Sequence, residues 1–272
     1  MPRAVVTDFD GTLHRSDQAF NDSDLAALRE AGRRGITRII ATGRSLYSFR
    51  RTVPAGRLPI DYVLFSSGAG VVREPSDDVI HSAQLEPDQV RQAADVLTDV
   101  NLPFMLHRPV PDNHRSLHRA TPTASADFHR RLERYKDHTG PLIGCAGDFG
   151  PAAQLLAVAP PHHVHLVDEV RARLDGFSVI RATSPLDHAS VWIEIFPAHV
   201  SKSLTTATLL AHLGISAVDV LAIGNDYNDE DLLNWAGRGV VTANAPESLR
   251  KRFDVVPAND AGGVAAAIQQ WL

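Results

Sequence analysis

Ala4-Val5-Val6-Thr7-Asp8-Phe9-Asp10-Gly11-Thr12-Leu13 is the stretch on which the reading of this chain turns. A short, Val-rich apolar run reads as a buried strand, and the Gly-Thr pair stops it. The two carboxylates stand at the C-terminal end of that strand, the edge at which open α/β sheets bind their ligands. Side chains alternate along a strand, so Asp8 and Asp10 are expected to start on one face. Two like charges so close repel unless a cation lies between them. Oxygen donors of this kind suit Mg²⁺, which is held by one or two carboxylates together with water and substrate phosphate. The competing reading is a plain turn or helix cap, and the rest of the chain has to decide.

Working outward, Asn21-Asp22-Ser23-Asp24 offers N-cap side chains and acidic residues to a helix carrying Leu25, Leu28 and Ala31, which Gly32 and Gly35 close. Ile36 to Ala41 is a second apolar strand, ending in Thr42-Gly43-Arg44, and Tyr62 to Phe65 a third, ending in Ser66-Ser67-Gly68. Strand, helix and strand make a βαβ unit, with a right-handed crossover. The same pattern returns at Ser201. Lys202 opens a helix through Leu204, Ala207 and Leu210. Val218 to Ile223 is then a buried strand ending in Gly224-Asn225-Asp226-Tyr227-Asn228-Asp229, followed by short strands at 239–241 and 254–256 and a closing helix from Gly262. Short strands alternating with helices predict a parallel, doubly wound, Rossmann-like α/β sheet.

Between these flanks the texture changes. From about Val79 to Ser190 the chain carries ten of its thirteen histidines and few long strand signals. A helix over Pro87 to Val100, strands at 155–159, 177–180 and 191–195, and a helix after Pro160-Pro161 suggest an inserted α+β unit. The expected division is a core of residues 1–79 and 191–272 around an α+β cap of residues 80–190 that selects the substrate. In the cap, His107, Arg108, His114, Arg115, His118 and Arg119 have two readings, a face for a phosphorylated or acidic leaving group and an exposed loop. The group His162, His163 and His165 is either a metal site or the surface of a helix start. Trp192 and Trp235 are expected to pack.

Composition narrows the classes. A net charge of −5 supplies no field to recruit nucleic acid. No run of about 18 apolar residues is present to span a membrane. The single cysteine, Cys145, rules out an internal disulfide and points to a reducing, cytoplasmic setting. The early acidic pair interrupts any signal-peptide pattern. Nothing in the sequence speaks to oligomeric state.

Four strand ends therefore carry the parts for phosphoryl chemistry. Asp8 can attack phosphorus as a carboxylate nucleophile, and Asp10 can serve as acid and then base. Thr42, Gly43 and Lys202 can bind phosphate oxygens, with Asn228 as a further candidate. The cluster Asn225, Asp226, Asn228 and Asp229 can complete the Mg²⁺ ligands. Taken together, Asp8-Phe9-Asp10-Gly11-Thr12-Leu13, Thr42-Gly43-Arg44, Lys202 and Gly224-Asn225-Asp226-Tyr227-Asn228-Asp229 resemble the four motifs of the haloacid dehalogenase superfamily. The long insertion between the second and third motifs resembles its Cof-like branch of sugar-phosphate and related phosphatases. Phe65-Ser66-Ser67-Gly68-Ala69 is similar to that branch's Asn-Gly-Ala strand end, with Ser67 in place of Asn. The resemblance implies Asp8 as nucleophile, Asp10 as acid/base, and Mg²⁺ on Asp8, the Asp10 carbonyl and a fourth-motif residue, with Arg44 and Asp229 in support. Where the family often has Gly-Asp, this chain has Gly224-Asn225, so Asn225 and Asp226 both stand as metal ligands. The expected activity is a Mg²⁺-dependent phosphatase for a small phosphorylated substrate such as a sugar or polyol phosphate. A phosphomutase and a non-catalytic binding protein on the same fold are the alternatives.

Overall fold

The computed structural model describes residues 3–272, which divide into two compact units. The first holds the chain to Arg44, then Ser48–His81 and Ser201–Leu272; the second holds Ser45–Tyr47 and Ser82–Val200.

The first unit is built on strands β1 (Ala4–Thr7), β2 (Thr37–Ala41), β3 (Tyr62–Phe65), β4 (Gly70–Arg73) and β5 (Asp78–Ser82). Their helices are α1 (Asp22–Arg33) and α2 (Leu46–Thr52). After the insertion come α6 (Lys202–His212), β12 (Val220–Gly224), α7 (Glu230–Trp235), β13 (Arg238–Thr242), α8 (Glu247–Arg250), β14 (Asp254–Val256) and α9 (Gly263–Trp271). The sheet order is β14-β13-β12-β1-β2-β3-β4-β5. The six strands from β14 to β3 pair in parallel, and β4 turns back antiparallel on β3. This is the doubly wound α/β core expected from the sequence, extended by two strands at one edge. β1 is central and buried along its whole length, with β12 on one side and β2 on the other, which is why Ala-Val-Val-Thr is apolar on both faces. Ala4, Val6, Ile39, Leu64, Val220, Ala222 and Val241 form the core on one side of the sheet.

α1 starts where Asn21 and Asp22 predict, though not by a side-chain cap. Asn21 Nδ2 instead donates to Asp24 Oδ2 at 2.9 Å, and buried Asp24 accepts the Ala265 amide of α9 at 2.7 Å. The polar start of the helix thus ties it to the last helix of the chain.

The second unit carries α3 (Pro87–Asp99), β6 (Phe104–His107), β7 (Ser116–Arg119), α4 (Ala126–Arg134), β8 (Thr139–Pro141), β9 (Gln154–Ala159), α5 (His165–Arg173), β10 (Phe177–Thr183) and β11 (Val191–Pro197). Its sheet runs β10-β11-β9-β6-β7-β8, antiparallel except for the β7–β8 pair. α3 has Pro87 in its first turn and a reciprocal Glu86–Gln89 capping box, and it buries Val90, Ala93, Ala94 and Leu97 as its spacing predicts. Together with α5 it covers one face of the sheet, formed by Phe104, Leu106, Leu155, Ala157, Ile193 and Ile195.

One boundary differs from the sequence reading. The run 191–195 was expected to re-enter the core, yet β11 pairs with β9 and β10 and belongs to the second unit, which extends to Val200. The run is apolar because β11 lies between two other strands, and a sequence of that kind does not say which sheet it joins.

Candidate active site

The strand β1 stops at Thr7, so Asp8 and Asp10 lie on the loop beyond it and the alternation of a strand no longer governs them. Their carboxylates part company. Asp8 is 5% exposed, and its Oδ1 accepts a hydrogen bond from Lys202 Nζ at 2.6 Å. The Asp10 carboxylate turns away to Arg44, whose Nε and Nη2 donate to Oδ2 at 2.7 Å and Oδ1 at 2.6 Å. His14 adds an ion-pair contact to the same carboxylate at 3.7 Å and stacks on Phe9. The expectation of two acids on one face is therefore corrected: Asp10 meets the Asp8 cluster through its main-chain carbonyl.

Lys202 begins α6, directly after Ser201, whose hydroxyl accepts from the Leu204 amide. A cation is disfavoured at a helix N-terminus. Two buried carboxylates hold it there: Nζ donates at 2.6 Å to Asp8 Oδ1 and at 2.6 Å to Asp229 Oδ1, with Lys202 and Asp229 fully buried. Both carboxylates push the Lys202 ammonium above its ordinary range and keep it charged. Asp229 is fixed in turn by its Oδ2, which accepts the main-chain amides of Asn225 at 2.8 Å and Asp226 at 3.0 Å. The Asp226 carboxylate caps the turn 227–229, so the structure gives this candidate ligand a local backbone role and leaves Asn225 to face Asp8.

The Asn225 amide places one terminal atom 2.9 Å from Thr12 Oγ1, 3.1 Å from Asp8 Oδ2 and 2.9 Å from the Asp10 carbonyl oxygen. With nitrogen there, it is in donor range of all three. With oxygen there, Thr12 donates to it, while oxygens of Asp8, Asp10 and Asn225 face one another with no hydrogen between them. A cation stabilises the second arrangement, and an amide supplies either atom at that place by turning over. Gly11 makes the approach possible: it has φ +76°, and a Cβ on it would lie 2.6 Å from Asn225 Nδ2. Among the described residues no three His, Cys, Asp or Glu side chains form a metal-binding group. The donors here are instead one carboxylate, one carbonyl and one amide, all oxygen and suited to Mg²⁺.

Charge supports the same fit. Burial, then the charge of Asp229, pushes the Asp8 carboxyl up to about 8, against the opposing pull of Lys202. When Asp8 ionises, two carboxylates share the single ammonium of Lys202, which leaves one negative charge for a cation to offset. Asp10 behaves oppositely: burial raises its pKa, but the nearby His14 ring and the two hydrogen bonds from Arg44 outweigh that and hold it below the usual carboxylate value.

Thr42 follows β2 and is 1% exposed, and its hydroxyl accepts the Arg44 amide at 3.1 Å. Its loop is braced by the next one: Ser67 N–H donates to the Thr42 carbonyl at 3.0 Å and Ser66 N–H to the Arg44 carbonyl at 2.7 Å. Ser66 and Ser67 both adopt left-handed φ, 47° and 52°, a conformation that Asn tolerates better than Ser. Gly43 lies on this loop between Thr42 and Arg44. Asn228 lies within the turn 227–229 and is not drawn into the Asp8–Lys202–Asp229 chain of bonds.

Several supporting residues had no sequence signal. Asp231 Oδ2 accepts from Ser203 N and Oγ at 3.1 and 2.7 Å, tying α7 to the start of α6. Thr205 Oγ1 donates to the Gly68 carbonyl at 3.0 Å, and Asn244 Nδ2 to the Gly11 carbonyl at 2.8 Å. Each joins residues far apart in the chain, where no spacing rule reaches. His162, His163 and His165 contact one another only as rings, and Trp192 and Trp235 pack against apolar clusters.

A profile of the haloacid dehalogenase-like hydrolases matches residues 5–268, so the chain belongs to that family and is an enzyme of its phosphatase kind. Among its relatives, HMP-PP phosphatase of Enterobacter sp. (strain 638) is 26% identical over 94% of this chain and 90% of its own. A putative phosphatase of Haemophilus influenzae is 22% identical over 99% of this chain and 98% of its own. The fold matches that of BT1666, a phosphatase from Bacteroides thetaiotaomicron, with a TM-score of 0.79 at 21% identity, over 100% of this chain and 95% of the other. It also matches the subclass IIB sugar phosphatase BT4131, with a TM-score of 0.74 at 19% identity, over 99% and 98% of the two chains. Among the described residues no helix is long and apolar enough to cross a membrane.

Proposed function

We propose that this chain is a Mg²⁺-dependent phosphatase that hydrolyses a small phosphorylated metabolite, a sugar or polyol phosphate, through an aspartyl-phosphate intermediate. One observation carries the proposal: buried Asp8 is held on one oxygen by Lys202, while its other oxygen faces the Asp10 carbonyl and the Asn225 amide. The relatives named as phosphatases and the sugar phosphatase of the same fold support the substrate class.

Mg²⁺ would be held by Asp8 Oδ2, the Asp10 carbonyl and Asn225 Oδ1, and when bound it supplies positive charge to offset phosphate and carboxylate together. In the first step an Asp8 oxygen attacks phosphorus. The ester P–O bond breaks, and the leaving oxygen takes a proton from the Asp10 carboxyl. In the second step water attacks phosphorus and gives its proton back to Asp10, and the bond from phosphorus to Asp8 breaks to release phosphate. Lys202 keeps Asp8 oriented and screens it from the approaching dianion, and Asp229 keeps Lys202 in place. Thr42 and the Gly43 amide bind phosphate oxygens. Arg44 holds both Asp10 oxygens and keeps that carboxylate ionised in the resting arrangement, so proton delivery requires the Asp10 side chain to rotate off Arg44, take up a proton from solvent and turn it to the leaving oxygen.

Phosphate release from a panel of phosphate esters, with Mg²⁺ and with EDTA, tests the reading. Release that Asp8→Asn abolishes is expected, and release that survives Asp8→Asn refutes the assigned nucleophile.

A further inference from the structure

The first loop of the core turns back on itself directly after β1. The His14 amide donates to the Phe9 carbonyl at 2.8 Å and the Gly11 amide to the His14 carbonyl at 3.3 Å, a carbonyl that Asn259 Nδ2 also reaches, at 3.2 Å. The main chain thus fixes where the His14 ring stands. The ring stacks on Phe9, with centroids 4.7 Å apart and planes 11° from parallel, and it meets Phe20 at 5.4 Å. Packing of this kind calls for a flat ring, and phenylalanine supplies one with no polar atom to bury. His14 carries a cost that phenylalanine would not. It is 5% exposed, and its Nε2 is buried with no hydrogen-bond partner. Such atoms are destabilising, and native structures keep few of them.

The other ring nitrogen faces a charge. His14 Nδ1 lies 3.7 Å from Asp10 Oδ1, the oxygen that accepts from Arg44 Nη2 at 2.6 Å. With its proton on Nδ1, as a neighbouring carboxylate favours, the ring leaves Nε2 an acceptor without a donor. Arg44 is itself held in place, because Nη1 donates to Thr52 Oγ1 at 2.7 Å and the guanidinium lies 5.0 Å over the Phe9 ring. Imidazole and guanidinium therefore share Phe9 as a support and meet on one oxygen of Asp10. The Asp10 side chain is 42% exposed, which leaves it room to turn once released.

We propose that His14 is a positioning residue for Asp10: beside Arg44, its Nδ1–H holds the Asp10 carboxylate in a docked arrangement that the side chain must leave to reach the substrate's leaving oxygen. The catalytic meaning of the docking rests on the phosphatase reading, while the hold of His14 on the carboxylate does not. The contact is long and partly open to solvent, so it biases the docked arrangement and leaves Arg44 as the main anchor. Two properties of the residue are then separable. A structural His14 owes its place to the ring on Phe9, and a positioning His14 owes it to the nitrogen facing Asp10.

The test uses the full chain with ¹⁵N-labelled arginine and reads how fast the Arg44 Nε–H exchanges with solvent, since that proton is held on Asp10 Oδ2. Values of kcat/KM for sorbitol phosphate and for nitrophenyl phosphate are measured alongside. His14→Phe keeps a ring on Phe9 and removes the nitrogen. His14→Asn loses the ring and keeps an amide N–H close to where Nδ1 stands. His14→Phe is expected to speed the exchange about threefold. It should raise the ratio of kcat/KM on sorbitol phosphate to that on nitrophenyl phosphate by a similar factor, because the alkyl ester is the one that needs the released acid. His14→Asn should leave both readings near wild type although it melts lower. The reverse pattern, with His14→Asn disturbing them more than His14→Phe, assigns the residue a purely structural role and overturns the proposal. Exchange that does not respond to His14→Phe, or a ratio that does not rise, overturns it too. Should His14→Phe fail to fold, His14→Leu, smaller and equally without a nitrogen, carries the same expectation. If the exchange responds as stated and no ester is hydrolysed by wild type, the phosphatase reading fails and the hold on Asp10 stands. If esters are hydrolysed and the exchange does not respond, the hold is refuted and the phosphatase reading stands.

Discussion

Replacing Lys202 by Met removes the cation that contacts two buried carboxylates, Asp8 and Asp229. Nζ is 2.6 Å from Asp8 Oδ1 and 2.6 Å from Asp229 Oδ1, and the side chains of the two acids are 8% and 0% exposed. Breaking one buried ion pair by removing a partner costs about 3–5 kcal/mol, because the remaining charge is left without compensation. Here two carboxylates lose the same cation, so the upper figure applies, about 5 kcal/mol. For a chain of this size each kcal/mol shifts Tm by about 2–4 °C, which gives a fall of about 10–20 °C. The loss should depend on pH in a definite direction. Asp8 is already pushed up to about 8 by burial and Asp229, with Lys202 opposing, and without Lys202 it rises further. A carboxyl whose pKa is higher in the folded than in the unfolded chain favours folding while it is protonated, and that advantage is lost as pH rises through the folded value. Measured against wild type, Lys202→Met should therefore show its smaller penalty at about pH 7, where Asp8 is protonated with or without the lysine, and the gap should widen through pH 9. Thermal melts followed by circular dichroism in EDTA at both ends of that range decide it. The double variant Lys202→Met, Asp229→Asn should recover about half of the loss, since one buried charge is gone while an amide oxygen can still accept from Asn225 and Asp226. A melting temperature within about 2 °C of wild type near pH 9, or a penalty that does not shrink on acidification to pH 7, would refute the reasoning.

Three further outcomes are expected. EDTA should abolish phosphate release and Mg²⁺ restore it, with Ca²⁺ a poor substitute because its looser, higher coordination misaligns an in-line attack; full activity in chelator would overturn the metal assignment. Asp8→Asn should leave no phosphoenzyme in an acid quench, whereas Asp10→Asn should lose about 10²–10⁴-fold on alkyl phosphates and much less on aryl phosphates, whose leaving groups need little protonation; an equal loss on both classes would remove Asp10 from the role of acid. Asn225→Asp should lower Tm in EDTA, because a second carboxylate then lies about 3 Å from Asp8 Oδ2, and should raise the stabilisation gained from added Mg²⁺; melts that respond to Mg²⁺ no more than wild type would show that Asn225 does not face the metal.

What the sequence disclosed and what it withheld follow from the reach of each signal. β1, β2, β3 and β12 were legible because each is an apolar run closed by a turn, and their loops carry Asp8, Thr42, Ser67 and Asn225 to one edge by topology alone. The orientation of Asp10 was not, because period-two reasoning holds only within a strand and β1 ends at Thr7. Arg44, three residues past β2, captures the Asp10 carboxylate across 34 positions of chain, and no local pattern encodes that distance. The choice between Asn225 and Asp226 stayed open for a related reason: both carry oxygen, and only the turn at 227–229 shows that the Asp226 carboxylate is occupied with backbone. In the second unit the obstacle was different. Histidines at 107, 114 and 118 look like one cationic cluster in sequence, yet His107 is buried with Nδ1 on the Asn113 carbonyl, and burial keeps its ring neutral. A histidine count therefore says nothing of whether each ring is charged. The two faces of that sheet are packed differently: α3 and α5 cover one, while Phe128 of α4 packs with Met105, Leu156, Val158 and Trp192 on the other, and no residue count distinguishes them.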